Sequence, residues 1–149
     1  MAHKYIATTR FNETTYQQNV IYKSRIGTTG CLYGTPMKIK DKIPLDSHVY
    51  VIEMNNSINK IEGIGLIVNQ HVLDKNYRIY DDMDYNRYIY KGNKHISVSK
   101  LTDEYEKRVI HVLEQLLFKG HAVHIKADLT FVLMPTSKIY RKQHFRGGR

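Results

Sequence analysis

Hydrophobic and polar positions are patterned most regularly between His48 and Val68, in HVYVIEMNNSINKIEGIGLIV. Residues 49–54 and 61–68 are rich in β-branched and apolar side chains, which predicts two strands. Asn55, Asn56 and Ser57 between them tolerate left-handed backbone and make local hydrogen bonds, so a turn is expected there. Gly63 and Gly65 fall two residues apart on one face of the second strand. Without side chains, that face admits another backbone, a large side chain or a ligand.

The same pattern continues on both sides. Residues 4–9 (KYIATT) read as a first strand. Asn12 is a plausible cap for a helix over 14–24, with Tyr16, Val20 and Ile21 at helical spacing and Gly27 and Gly30 beyond its end. Cys31, Leu32 and Tyr33 form a short extended piece before Gly34-Thr35-Pro36. Residues 38–42 are a basic loop, and Pro44 is placed outside the sheet because it lacks an N–H. After Val68 comes a polar, tyrosine-rich passage, in which residues 71–73 could pair briefly. Residues 87–90 (RYIY) and 95–99 (HISVS) read as a hairpin around Gly92-Asn93, a tight-turn pair. Thr102 then caps a helix over 102–119 whose stripe is Val109, Val112, Leu113, Leu116 and Leu117. Residues 122–126 and 129–134 complete the expected strands.

Composition narrows the class. A chain of 149 residues is expected to form one domain. Its single cysteine, Cys31, excludes an intramolecular disulfide and makes a reducing, intracellular location the default, cytoplasmic or nuclear. No apolar run is long enough to span a bilayer, and MAHKYIATTR has no signal-peptide core, so no membrane association is expected. The formal charge is +9, from 23 Lys and Arg against 14 Asp and Glu, which favours a polyanionic partner, chiefly nucleic acid. The segment 138–149, KIYRKQHFRGGR, is a basic tail without acids, separate from a domain over 1–137.

Candidate chemistry is sparse. There is no phosphate-binding glycine loop and no nucleophile elbow. Cys31 beside Leu32 reads as packing rather than as a nucleophile. His121 and His124 would point to opposite faces of a strand, and Asp81, Asp82 and Asp84 lack calcium-loop spacing, so no metal or other cofactor is assigned. Lys38, Lys40 and Lys42 alternate and would line a groove. Arg141, Lys142, Arg146 and Arg149 would contact phosphates without reading sequence.

The order strand, helix, Gly-flanked aromatic segment and hairpin resembles the PUA-like superfamily, most closely its EVE and YTH members. KYIATT stands where their opening strand stands, Tyr33-Gly34-Thr35-Pro36 resembles their Trp-Gly-Val-Pro segment, and VYVIEMNNSINKIEGIGLI resembles their hairpin. The later part, from YNRYIYKGN onward, looks like small proteins of large DNA viruses of protists, which would place it in a host cell. The resemblance implies an α+β fold, a small mixed β-barrel with two main flanking helices. It also implies a base pocket with Tyr33 as its wall, and with Gly34, Thr8, Thr9 and the adjoining Arg10 near the base. The chain has no tryptophan, so the family's usual methyl-recognising cage is missing, and Tyr88 or Tyr90 would supply the second wall.

The expected function is therefore a non-enzymatic module that binds RNA, or single-stranded or modified DNA, with RNA favoured. The alternatives are a virion or partner-docking protein whose basic face and tail hold nucleic acid non-specifically, and an enzyme on a PUA-like barrel.

Overall fold

The computed structural model describes residues 4–118 and 131–133. Strand β1 (Lys4–Phe11) leads into helix α1 (Glu13–Ile26). Asn12 caps this helix reciprocally: its Oδ1 accepts from Thr15 N at 2.8 Å, and its own N–H donates to Thr15 Oγ1 at 3.0 Å. Gly27, at φ 74°, ends the helix in the left-handed conformation that glycine adopts without steric cost. Then follow β2 (Cys31–Thr35), β3 (His48–Asn55), β4 (Lys60–Val68), β5 (Tyr88–Gly92), β6 (Lys94–Ser97), α2 (Glu104–Phe118) and β7 (Phe131–Leu133).

The larger sheet is mixed, in the order β6-β4-β3-β1-β7, and β2 and β5 form a separate antiparallel ribbon. Strand β1 runs parallel to β3 and to β7, whereas β3–β4 and β4–β6 are antiparallel. The α+β class is as expected. Among the described residues the larger sheet stays open, and no closed barrel forms.

Each face of the sheet has its own core. One face carries Ala7, Phe11, Val49, Val51 and Ile67, packed with the ribbon residues Leu32, Tyr33, Ile89 and Tyr90 and with Tyr22 of α1. The other carries Ile52, Met54 and Ile61 against Ile110 and Leu117 of α2. A bulge divides the two sets. The register slips between Glu53, opposite Gly63, and Met54, opposite Ile61, leaving Glu62 as the extra residue. Ile61 therefore joins Met54 on the α2 side, although it has the same parity as Gly63. Its N–H donates to Glu114 Oε2 at 2.8 Å, so a helix carboxylate completes the hydrogen bonding of the bulged strand.

Several expectations are corrected. Residues 87–90 and 95–99 do not form a hairpin: β5 pairs with β2, and β6 pairs with β4. Neither Gly92 nor Asn93 has the positive φ of a tight hairpin turn. Gly92 instead lets the chain cross against the Leu66 carbonyl, where a Cβ would clash. Of the stripe expected for α2, Leu113, Leu116 and Leu117 pack inward together with Ile110 and Glu114, while Val109 and Val112 are exposed. Its first turn is capped by Asp103, whose Oδ1 accepts from Tyr105 N at 2.8 Å, rather than by Thr102. In α1, Val20 and Ile21 are exposed, and Asn19 and Tyr22 face inward. Asn19 Nδ2 donates to the Leu32 carbonyl at 2.7 Å and to Tyr80 Oη at 3.1 Å, a polar anchor that apolar spacing does not reveal. The strand expected over 129–134 is present as β7. The one expected over 122–126, His121, His124 and the tail lie outside the described residues. No helix among the described residues is long and apolar enough to cross a membrane.

Candidate nucleic-acid interface

The bare face made by Gly63 and Gly65 is covered by neither helix. Tyr33 and Cys31 of the ribbon come down on it, and a Cβ on Gly65 would overlap the Tyr33 hydroxyl and Cys31 Sγ. Beside Gly63 stand Glu53 and His95. Tyr33 Oη donates to Glu53 Oε2 at 2.5 Å, and His95 Nε2 lies 2.9 Å from the same oxygen. Glu53 is 4% exposed, so its charge is viable only with such partners. Burial, followed by the Glu53 carboxylate, holds the Tyr33 hydroxyl well above its ordinary range. The same two causes push the Cys31 thiol up to about 11, which makes Cys31 an inert packing residue.

Tyr33 is therefore not an open pocket wall. At 1% exposure it offers no face to a base. Thr8 and Thr9 are buried on opposite faces of β1, Thr9 beside Glu53 and Thr8 toward the α2 side, and Arg10 is half-buried. The Gly34 backbone is enclosed by Tyr80, Tyr85 and Ile89.

Four other expected residues do come together. Lys38, Lys40 and Tyr90 line a groove of about 330 Å³, in company with Asp41, Leu45, Gln70 and His71. Tyr88 does not line it but packs against two residues that do. The Lys38 ammonium lies 5.9 Å from the Tyr88 ring centroid, and the His71 ring meets Tyr88 edge to face at 5.2 Å. His71 is also 6.2 Å from Tyr90.

Local structure explains the assembly. Tyr90 Oη accepts from Ile39 N at 2.9 Å, which ties the lysine loop to β5. Val72 N donates to the Ile89 carbonyl at 2.8 Å, which ties the segment after β4 to the same strand. Asn69 Nδ2 donates to the carbonyls of Ile43 and Pro44 and closes the base of the loop. Tyr90 itself is buried, so the aromatic surface open to a ligand belongs to His71 and Tyr88, both half-buried. Lys42 is exposed but does not line the groove.

Residue-type reasoning missed Asp41, Gln70 and His71, because their approach to β5 depends on contacts distant in sequence. Glu53 carried a signal: a charge at the inward parity of Val49 and Val51. Of the acidic residues at 81, 82 and 84, Asp81 is tied to α1, its Oδ2 accepting from Gln18 Nε2 at 3.0 Å, and the other two serve local structure. Asp82 caps Asp84 N at 3.0 Å, and Asp84 pairs with Arg87 at 2.9 Å. No cluster of metal-binding side chains occurs among the described residues. Arg141, Lys142 and Arg146 lie outside them. Compared with known proteins, the chain matches no protein-family model, no curated protein and no solved structure.

Proposed function

We propose that this protein is a nucleic-acid-binding module that takes an unpaired base at His71 and Tyr88 and the adjoining phosphates on Lys38 and Lys40. The observation that carries this reading is the convergence of Lys38, Lys40 and the half-buried His71 ring on one groove, with the half-buried Tyr88 ring packed against Lys38 and His71. Stacking surfaces beside cations are what single strands require, since every base has a π-face and every linkage a charge. A duplex groove, by contrast, is read by a protruding helix or ribbon. The order strand, helix, ribbon strand and hairpin supports a PUA-like arrangement for the scaffold, with the base site moved outward from Tyr33 to Tyr88.

Fluorescence-anisotropy titration of RNA and single-stranded DNA at low salt tests the reading. Tyr88→Ala is expected to weaken binding by about 1–3 kcal/mol, and Tyr88→Phe to retain it. Absence of saturable binding by the folded wild-type chain would overturn the reading.

A further inference from the structure

The groove contains one group that a purely phosphate-binding surface would not retain. Asp41 stands between Lys40 and Lys42 in sequence and lines the groove with Lys38 and Lys40. Its carboxylate makes no side-chain hydrogen bond or ion pair among the described residues. Phosphate is repelled by it. Two of the neighbouring polar groups are engaged: the Asn69 amide nitrogen donates to two carbonyls, and Tyr90 Oη accepts from the Ile39 backbone. A groove of about 330 Å³ lies near the lower end of small-ligand sites, a size suited to one nucleoside rather than a stack of bases.

We infer that Asp41 is the specificity-determining residue of this groove and selects a base bearing an exocyclic amino group, with cytosine preferred to uracil or thymine. The inference rests on the nucleic-acid reading above. An ionised carboxylate only accepts hydrogen bonds. Cytosine presents an N4 amino donor where uracil and thymine present the O4 carbonyl. With uracil, two acceptors face each other and both lose water without a partner, which is how a polar site rejects a near-isostere. Gln70, exposed at the same groove, carries both a donor and an acceptor and so accepts either pyrimidine.

The test is a set of anisotropy titrations of labelled oligo-rC and oligo-rU, and of oligo-dC and oligo-dT, with the wild type and Asp41→Asn. The wild type is expected to prefer cytosine by roughly tenfold. In Asp41→Asn the side-chain amide donates to O4 as well as accepting from N4, so the preference collapses toward unity. Removal of the negative charge raises affinity for all four oligomers alike and cancels in the ratio. A wild-type ratio near one, or an unchanged ratio in Asp41→Asn, overturns the role of Asp41 and leaves the nucleic-acid reading standing. Failure of all four oligomers to bind overturns both.

Discussion

Glu53 is a buried carboxylate that meets two partners through the same oxygen, and its charge reaches further than those contacts. It adds to burial in raising Tyr33, Cys31 and Tyr16, the last to about 12 after burial and Glu62. Tyr80 is raised mainly by burial. In each case the folded chain keeps a proton that the unfolded chain releases at lower pH. The associated stability is complete below the ordinary thiol value of 9.0 and is lost as pH rises toward about 11 and beyond. The melting temperature is thus expected to fall across that alkaline window. The absorbance of ionised tyrosine should rise in step with unfolding, and Cys31 should react with thiol reagents only as fast as the chain opens. Complete ionisation of all 12 tyrosines in a chain that stays folded would contradict the burial of Tyr33 and Tyr80.

Among the elements, α2 is joined to the sheet by more than its apolar stripe. Glu114 accepts from the Ile61 N–H at the bulge and lies 3.8 Å from the Lys60 ammonium. Glu114→Ala leaves a buried N–H without its acceptor and is expected to cost about 1–3 kcal/mol, while Glu114→Gln preserves the acceptor and costs less. Equal losses in chemical denaturation of the two variants would show that the charge, not the hydrogen bond, matters there. Local signals made much of this scale legible: the His48–Val68 hairpin announces itself by alternation and turn residues, and Asn12 and Gly27 mark the ends of α1. The Gly92-Asn93 pair misleads because turn chemistry is local, whereas β5 and β6 choose partners far away, in β2 and β4. The bulge was equally hidden, since Ile61 and Gly63 share a parity and only their pairing separates them.

For the whole molecule, the charge of +9 makes the proposed nucleic-acid binding testable through its salt dependence. Each lysine neutralised by a phosphate releases counterions, so the slope of log K against log salt counts contacts, at about 0.7 per phosphate on a single strand. Replacing Lys38 and Lys40 together by Ala should lower that slope by roughly 1.4. An unchanged slope in the titration would place the phosphate contacts on other basic residues. The charge balance suggested a polyanionic partner and the alternating lysines suggested Lys38 and Lys40, while the resemblance suggested Tyr88 or Tyr90 and placed Tyr33 at the site on the strength of a segment that looks like a pocket wall. Tyr33 is enclosed because Gly65 of β4 makes room for its hydroxyl and Glu53 accepts from it. Asp41, Gln70 and His71 were unreadable because a loop and a passage without repeating pattern meet only in the folded state.

The hairpin of β3 and β4 has a kinetic meaning as well. Among the described strand pairs it is the one closed by a short turn; β1–β3, β2–β5, β4–β6 and β1–β7 all join segments with other elements between them. A hairpin forms in about 1–10 μs, while pairings across long loops wait on chain closure. The hairpin then supplies both edges on which the sheet grows, β1 adding beside β3 and β6 beside β4. Its side chains would weigh on the rate of folding, and those of the β2–β5 ribbon, which docks afterwards over Gly65, on the rate of unfolding.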